Sequence, residues 1–357
     1  MKETLTWLAL LARPNAGCVT VRREVESAGD PAVCWNSWRK ANPSEAAEAW
    51  ELAKRQWDRT QEIGAHIVTF HDVRYPSLLA QIPDAPPVLF AKGTWPSSPF
   101  WSRALAVVGT RSCTPQAASW ALQAGRQWTE AGGQLISGLA RGIDGRAHRG
   151  ALNGRCGGRQ VAVLPCSLEG VYPRIHQALA DEILDAGGLL LTEQPPGSQV
   201  ERWKFASRNR ILTGLAPTTL VVQSPARGGS LISARCAMDQ NRDVFAVWQR
   251  GMDRSWAGNR ALVADEIAHP VRDIDDLWQT MGKQAADAGA ALCTTNPAGL
   301  PEGCKAVWSM LTSHEAVTWR QLRDTLCLNA HDLNRQLFTL EFQGWIRRLP
   351  GRAYLRC

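Results

Sequence analysis

The sequence predicts an α/β fold built on a doubly wound parallel sheet. Six short apolar runs, at residues 105–108, 134–137, 160–164, 189–192, 219–222 and 244–247, recur between about Trp101 and Met281, and segments of helical period separate them. Several runs are apolar throughout instead of alternating, as parallel strands covered on both faces require. Three of them lead into glycine-rich loops, as expected where strands end at the carboxyl edge of such a sheet.

Taken in order, residues 1–65 carry apolar positions at helical spacing over 5–11, 19–27 and 43–63, which predicts a small accessory helical domain. Two short apolar runs follow at 67–70 and 88–91, parted by proline-rich turns, and a Trp/Pro/Ser run at 94–98 reads as a linker. The α/β domain spans 66–281. Its first run enters Gly109-Thr110-Arg111 and a helical pattern over 115–131. Its second enters Gly138-Leu139-Ala140-Arg141-Gly142-Ile143-Asp144, and the loop Gly228-Gly229-Ser230 follows the run at 219–222 and opens another helix. Residues 282–301, rich in Ala, Gly, Thr and Pro, read as a flexible linker. Within 302–357, helical patterns at 305–311, 318–326 and 331–342 precede a hairpin turned by Pro350-Gly351, the pattern of a winged helix. Four arginines and no acid fall in the last eleven residues, which fits a DNA contact, a protein-docking module or a solvated basic tail.

The 357 residues carry 40 Lys and Arg against 33 Asp and Glu, a balance of +7 that suits a polyanionic partner. The ten cysteines form no C-x-x-C pair and no Cys/His cluster at zinc spacing, so no metal is expected, and Cys166 and Cys236 read as small core thiols of a reducing cytoplasm. The apolar run near the N-terminus is too short and wrongly flanked for a signal or membrane span. The sixteen tryptophans read as core and boundary packing.

Backbone amides of a glycine loop and the open end of a helix favour an anion, and Arg111 and Arg141 supply planar donors for phosphate oxygens. Ser230 adds a hydroxyl. The same glycines would equally serve tight strand-to-helix turns. None of the loops is a Walker sequence or has the G-x-G-x-x-G spacing, which argues against a nucleotide triphosphatase or an ordinary dehydrogenase. Downstream, Lys204, Arg208 and Arg210 cluster within Arg202-Trp203-Lys204-Phe205-Ala206-Ser207-Arg208-Asn209-Arg210. Unpaired burial of such charges is strongly unfavourable, so they must face water, acidic partners or phosphate. Trp203 and Phe205 fit either base stacking or core packing. Asp144 and His148, four apart on one helix, read as structural: helix-start hydrogen bonding for the first, a packing position for the second. Three glycine loops and the basic cluster are expected to line one groove.

The segments VVGTR, LISGLARGIDGRAHRGAL, VAVLP with the following GVYP, FxxRNR at Phe205 to Arg210, and GGSLISARCAMDQNRDVFAV resemble, in order and spacing, the DNA-processing protein A family (DprA, also called Smf). The resemblance covers residues 66–275 strongly and the flanks more loosely. It implies an extended Rossmann-like fold with a SAM- or helix-hairpin-helix-like N-terminal module. It further implies cooperative single-stranded DNA binding without catalysis or cofactor, a homodimer, and loading of RecA recombinase during natural transformation. Carried over by position, the DNA-binding residues are Arg111, Gly138, Gly142, Lys204, Arg208, Arg210 and Ser230, with Asn209 holding the loop in shape. The chain departs from the family pattern at Ala206, His176, Gln223, Trp248-Gln249 and Ala257-Gly258-Asn259; the last two fall at the distal edge of the domain, so the family's dimer contacts there are not carried over. A rival reading is an enzyme of the phosphoribohydrolase-like Rossmann group, whose glycine loop carries a catalytic glutamate; Ser233 stands at that position.

Overall fold

Asp30 caps the third helix of the chain, its carboxylate accepting from the amides of Ala32 and Val33, with Pro31 preset at the first helical position. Such local signals set four N-terminal helices: α1 (Lys2–Leu11), α2 (Cys18–Ala28), α3 (Pro31–Ala41) and α4 (Pro43–Glu62). The computed structural model describes residues 2–96, 98–154, 158–249, 251–280, 304–311, 317–326, 328, 330–342, 346–349 and 353–356. The described residues form two compact units, one of residues 2–96 with 100–280 and one of residues 98–99 with those described from 304 to 356. Among them no helix is long and apolar enough to cross a membrane.

The first unit is organised by a nine-stranded sheet: β1 (His66–Thr69), β2 (Val88–Gly93), β3 (Ala104–Val108), β4 (Gln134–Ser137), β5 (Gln160–Val163), β6 (Leu189–Thr192), β7 (Thr218–Val221), β8 (Asp243–Val247) and β9 (His269–Val271). Their spatial order is β1-β2-β6-β5-β4-β3-β7-β8-β9. From β6 to β9 every neighbouring pair is parallel. The chain winds outward from β3 through β4 and β5 to β6, then returns to lay β7 against the other side of β3. This is the expected doubly wound sheet, with its switch point between β3 and β7. The runs at 67–70 and 88–91 extend it, because β1 and β2 join the β6 edge in antiparallel register. The final strand, β9, was not expected: His269-Pro270-Val271 offers a proline and one buried apolar residue, a composition tolerated at a sheet edge.

Trp7, Val21, Val25, Trp35 and Ala53 of the N-terminal helices share one core with Ile67, Val88, Phe90, Leu164 and Ile183. Short helices α5 (Ser77–Ala80) and α6 (Ser98–Trp101) precede the parallel region, where α7 (Pro115–Glu130), α8 (Ile143–Asn153), α9 (Gln177–Asp185), α10 (Arg202–Gly214), α11 (Gly229–Asp239), α12 (Ala257–Ala264) and α13 (Ile274–Thr280) alternate with the strands. Thr114 caps α7 by accepting from the Ala117 amide. Helices α7 and α8 meet backbone to backbone. A Cβ at Gly125 would lie 2.0 Å from the Ala147 carbonyl oxygen, and one at Gly150 would lie 1.9 Å from that of Leu122.

The second unit holds α14 (Lys305–Met310), α15 (Trp319–Leu326) and α16 (Ala330–Phe342), with β10 (Val317–Thr318), β11 (Ile346–Leu349) and β12 (Ala353–Arg356) in an antiparallel sheet of order β10-β12-β11. Val307, Leu322, Leu333, Leu337, Leu340, Ile346 and Tyr354 form its own core. Thr318 opens α15 as expected, its hydroxyl accepting from the Gln321 amide. The expected linker at 282–301 and the Pro350-Gly351 turn lie outside the described residues.

Candidate nucleic-acid interface

At the switch point the loops that follow β3 and β7 part around a cavity of about 430 Å³. Its lining includes Arg111, Arg202, Arg208 and Arg227, together with Phe205 and Ser230. The first loop is tied to the second crossover: the Thr110 amide donates to the Gln223 carbonyl at 2.8 Å, and the Gln223 side chain accepts from the Thr114 amide at 2.9 Å while donating to Ser255 Oγ at 2.7 Å. Beyond β7, the Ser224 amide donates to Asn259 Oδ1, and Asn259 Nδ2 donates to the carbonyls of Val221, Val222 and Val247. Ser230 Oγ donates to Ser224 Oγ at 2.9 Å, and Asn209 Nδ2 reaches the Gly229 carbonyl at 3.4 Å. Helix α11 starts at Gly229 without a side-chain cap, leaving the positive end of its dipole at the cavity.

Arg208 projects from α10 into the floor. It is 6% exposed, and its Nη1 donates to the Val163 carbonyl at 2.6 Å. The space it fills exists because residue 138 is glycine: a Cβ there would lie 1.8 Å from Nη1. Gly142 has φ +75°, and a Cβ on it would lie 2.2 Å from the Thr110 carbonyl oxygen, so the second glycine loop packs directly on the first. His176 Nδ1 donates to the carbonyl of Leu139, itself at φ 54°, and fixes the middle of that loop. Asp144, in the first turn of α8, is buried at the cavity wall. Burial pushes its carboxyl up, opposed by Arg208 and by backbone hydrogen bonds from Ala140 and Gly138. Burial also pulls the Arg208 guanidinium down, against Asp144.

At the rim Arg111 is exposed, its Cζ 5.0 Å from the centroid of the Phe205 ring. Phe205 meets Tyr172 edge to face, with centroids 5.2 Å apart. The rim thus sets one planar cation against a pair of aromatic rings.

Of the seven residues expected here, Arg111, Arg208 and Ser230 line the cavity, and Gly138 and Gly142 shape it by close packing. Lys204 and Arg210 do not line it, which corrects the expectation of one groove lined by the whole cluster. Lys204 is buried, with Nζ donating to the Gln199 carbonyl at 2.7 Å and pairing with Glu201 at 3.1 Å. Arg210 pairs with Glu193 at 2.6 Å and Asp84 at 3.1 Å. Two residues along a helix is a rotation of about 200°, so Arg208 and Arg210 leave α10 on opposite faces. Arg202 and Arg227 were not expected to contribute; Arg227 stands directly before the third glycine loop, a signal that the sequence did carry.

The profile of the family described as DNA recombination-mediator protein A matches residues 66–282, more than half of the chain and every strand of the large sheet. The chain belongs to this family. Protein Smf of Synechocystis is 38% identical over 189 residues, covering 52% of this chain and 47% of that protein. DNA processing protein DprA of Bacillus subtilis is 33% identical over 223 residues, covering 62% of this chain and 73% of the relative. The chain thus spans about half the length of the Synechocystis relative and more of the Bacillus one. The structure of DprA from Streptococcus pneumoniae aligns with a TM-score of 0.60 at 30% identity, over 78% of this chain and 94% of that one. DNA processing protein A from Helicobacter pylori, whose structure is described for its single-stranded DNA binding mode, aligns with a TM-score of 0.53 at 25% identity, over 61% and 97%.

Proposed function

We propose that this protein binds single-stranded DNA, without cutting it, along the groove at the β3/β7 switch point. The observation that carries this reading is the convergence of Arg111, Arg202, Arg208 and Arg227 with an uncapped helix start at one cavity. Phosphates seat on the arginines and on the amides that open α11, beside Ser230; Gly138 makes room for Arg208 and Gly142 lets the second loop pack on the first; Lys204 ties the start of α10 to Gln199 and Glu201, and Arg210 holds its opposite face. Bases meet Phe205 and Tyr172. The single-stranded DNA binding of the Helicobacter pylori relative supports the same ligand class. The resemblance extends the reading to a cytoplasmic homodimer that loads RecA recombinase onto incoming DNA in natural transformation. It also divides the chain into a helical module (1–65), the DNA-binding domain (66–281), a linker (282–301) and a winged helix (302–357).

The enzymatic rival needs a carboxylate on the third glycine loop. Ser233 occupies that place, its hydroxyl directed to the Gly229 carbonyl at 3.5 Å. Fluorescence anisotropy with labelled oligonucleotides tests the reading. Single strands should bind more tightly than duplex and with little sequence preference, and Arg111→Glu should weaken every sequence alike. The slope of log K against log salt should shrink by roughly 0.7 for each phosphate that is no longer neutralised. Undiminished binding by Arg111→Glu, or release of free base from a nucleoside monophosphate, would overturn it.

A further inference from the structure

A second cavity, of about 720 Å³, opens between α1, α3 and α4. It exists because the facing positions Ala32, Ala46 and Ala47 are too small to fill the space between the helices. Trp35, 5% exposed, forms its floor, and the partly exposed Trp50 lies nearly parallel to it, with ring centroids 5.6 Å apart at 27°. Lys2, Arg39 and Lys40 stand exposed at its mouth. Among the described residues none of these three has an ion-pair partner. The acid in the lining, Glu51, is engaged by Lys54 at 2.8 Å.

Two basic residues in the last turn of α3 complement its dipole, which accounts for Arg39 and Lys40 as helix residues. It does not account for the convergence of a third cation from α1 and an indole from α4 upon the same opening. An aromatic floor under an uncompensated cationic rim is complementary to a flat ring that carries an anion. The geometry points to a nucleotide site: a base inserted against Trp50 and Trp35, its phosphate held by Arg39, Lys40 and Lys2. This site is separate from the groove at the switch point and extends nucleic-acid recognition to the N-terminal helices.

The test is photocross-linking of the full chain, with mass-spectrometric mapping, using two probes in turn: an oligonucleotide bearing iododeoxyuridine, and iododeoxyuridine monophosphate alone. Labelling of Trp50 by the oligonucleotide is expected, and would identify the ligand as a DNA strand; labelling by the monophosphate alone would support the site with a free nucleotide as its ligand. Labelling should persist in Arg111→Glu, so that failure of the central groove and failure of this site are read separately. It should fall about tenfold in the Arg39→Glu/Lys40→Glu double variant, whose exposed positions leave the fold intact, as a melting curve would verify. Labelling undiminished in the double variant, or no labelling within residues 2–51 by either probe, would overturn the assignment.

Discussion

Arg208 and Arg210 show how little separates a cavity-lining side chain from a structural one. Both belong to the same short motif, yet Arg208 enters the cavity while Arg210 is held by Glu193 and Asp84. Replacing Arg210 with alanine should therefore lower stability, by about 2 kcal/mol for the loss of charge-assisted bonds from a largely buried guanidinium. It should leave the salt dependence of DNA binding unchanged, whereas Arg111→Ala should do the reverse; chemical denaturation and salt-titrated anisotropy separate the two. The motif itself is legible in the sequence. The direction of each arginine is not, because it depends on the rotational phase of α10 and on acids 17 and 126 positions away, Glu193 and Asp84. The departures at His176 and Gln223 likewise become intelligible only in three dimensions. Each supplies a side chain that ties a glycine loop in place, one to the Leu139 carbonyl and the other to the Thr114 amide.

Among elements, the central strands were readable because each carries an apolar stretch within a strand buried on both faces, and β9 was missed because an edge strand needs neither length nor apolarity. The attachment of β1 and β2 to the β6 edge depends on long-range pairing that no local pattern encodes. One contact between elements has a measurable signature. His148 on α8 is fully buried, with Nδ1 at 2.8 Å from Gln160 Oε1 on β5, and burial lowers its pKa from 6.5 to about 4. The unfolded chain therefore binds the proton more readily. His148 leaves stability intact above pH 6.5 and removes it as the pH falls toward 4, by about 3 kcal/mol in full. Asp144, with its raised carboxyl, acts in the opposite sense. His148→Gln, compared with the parent at each pH by denaturant titration, should flatten the slope between pH 6.5 and 4.

For the whole molecule, the two units formed by the described residues bury separate cores. A chain ending at Gly289 should retain the melting transition of the large unit and its affinity for single strands. Calorimetry of the full chain should show a further transition that the shorter chain lacks. The sequence did not reveal that the N-terminal helices share a core with the sheet, since their amphipathic faces specify burial but not the surface that buries them. The direct apposition of α7 and α8 at Gly125 and Gly150 bears on how the groove works. Each of these helices emerges from one of the first two glycine loops, so with no side chains cushioning the pair neither loop can shift without its neighbour. Under the proposed function, the receptor surface is set before any polymer arrives, and the loss of freedom on docking falls on the limp nucleic acid instead of the protein.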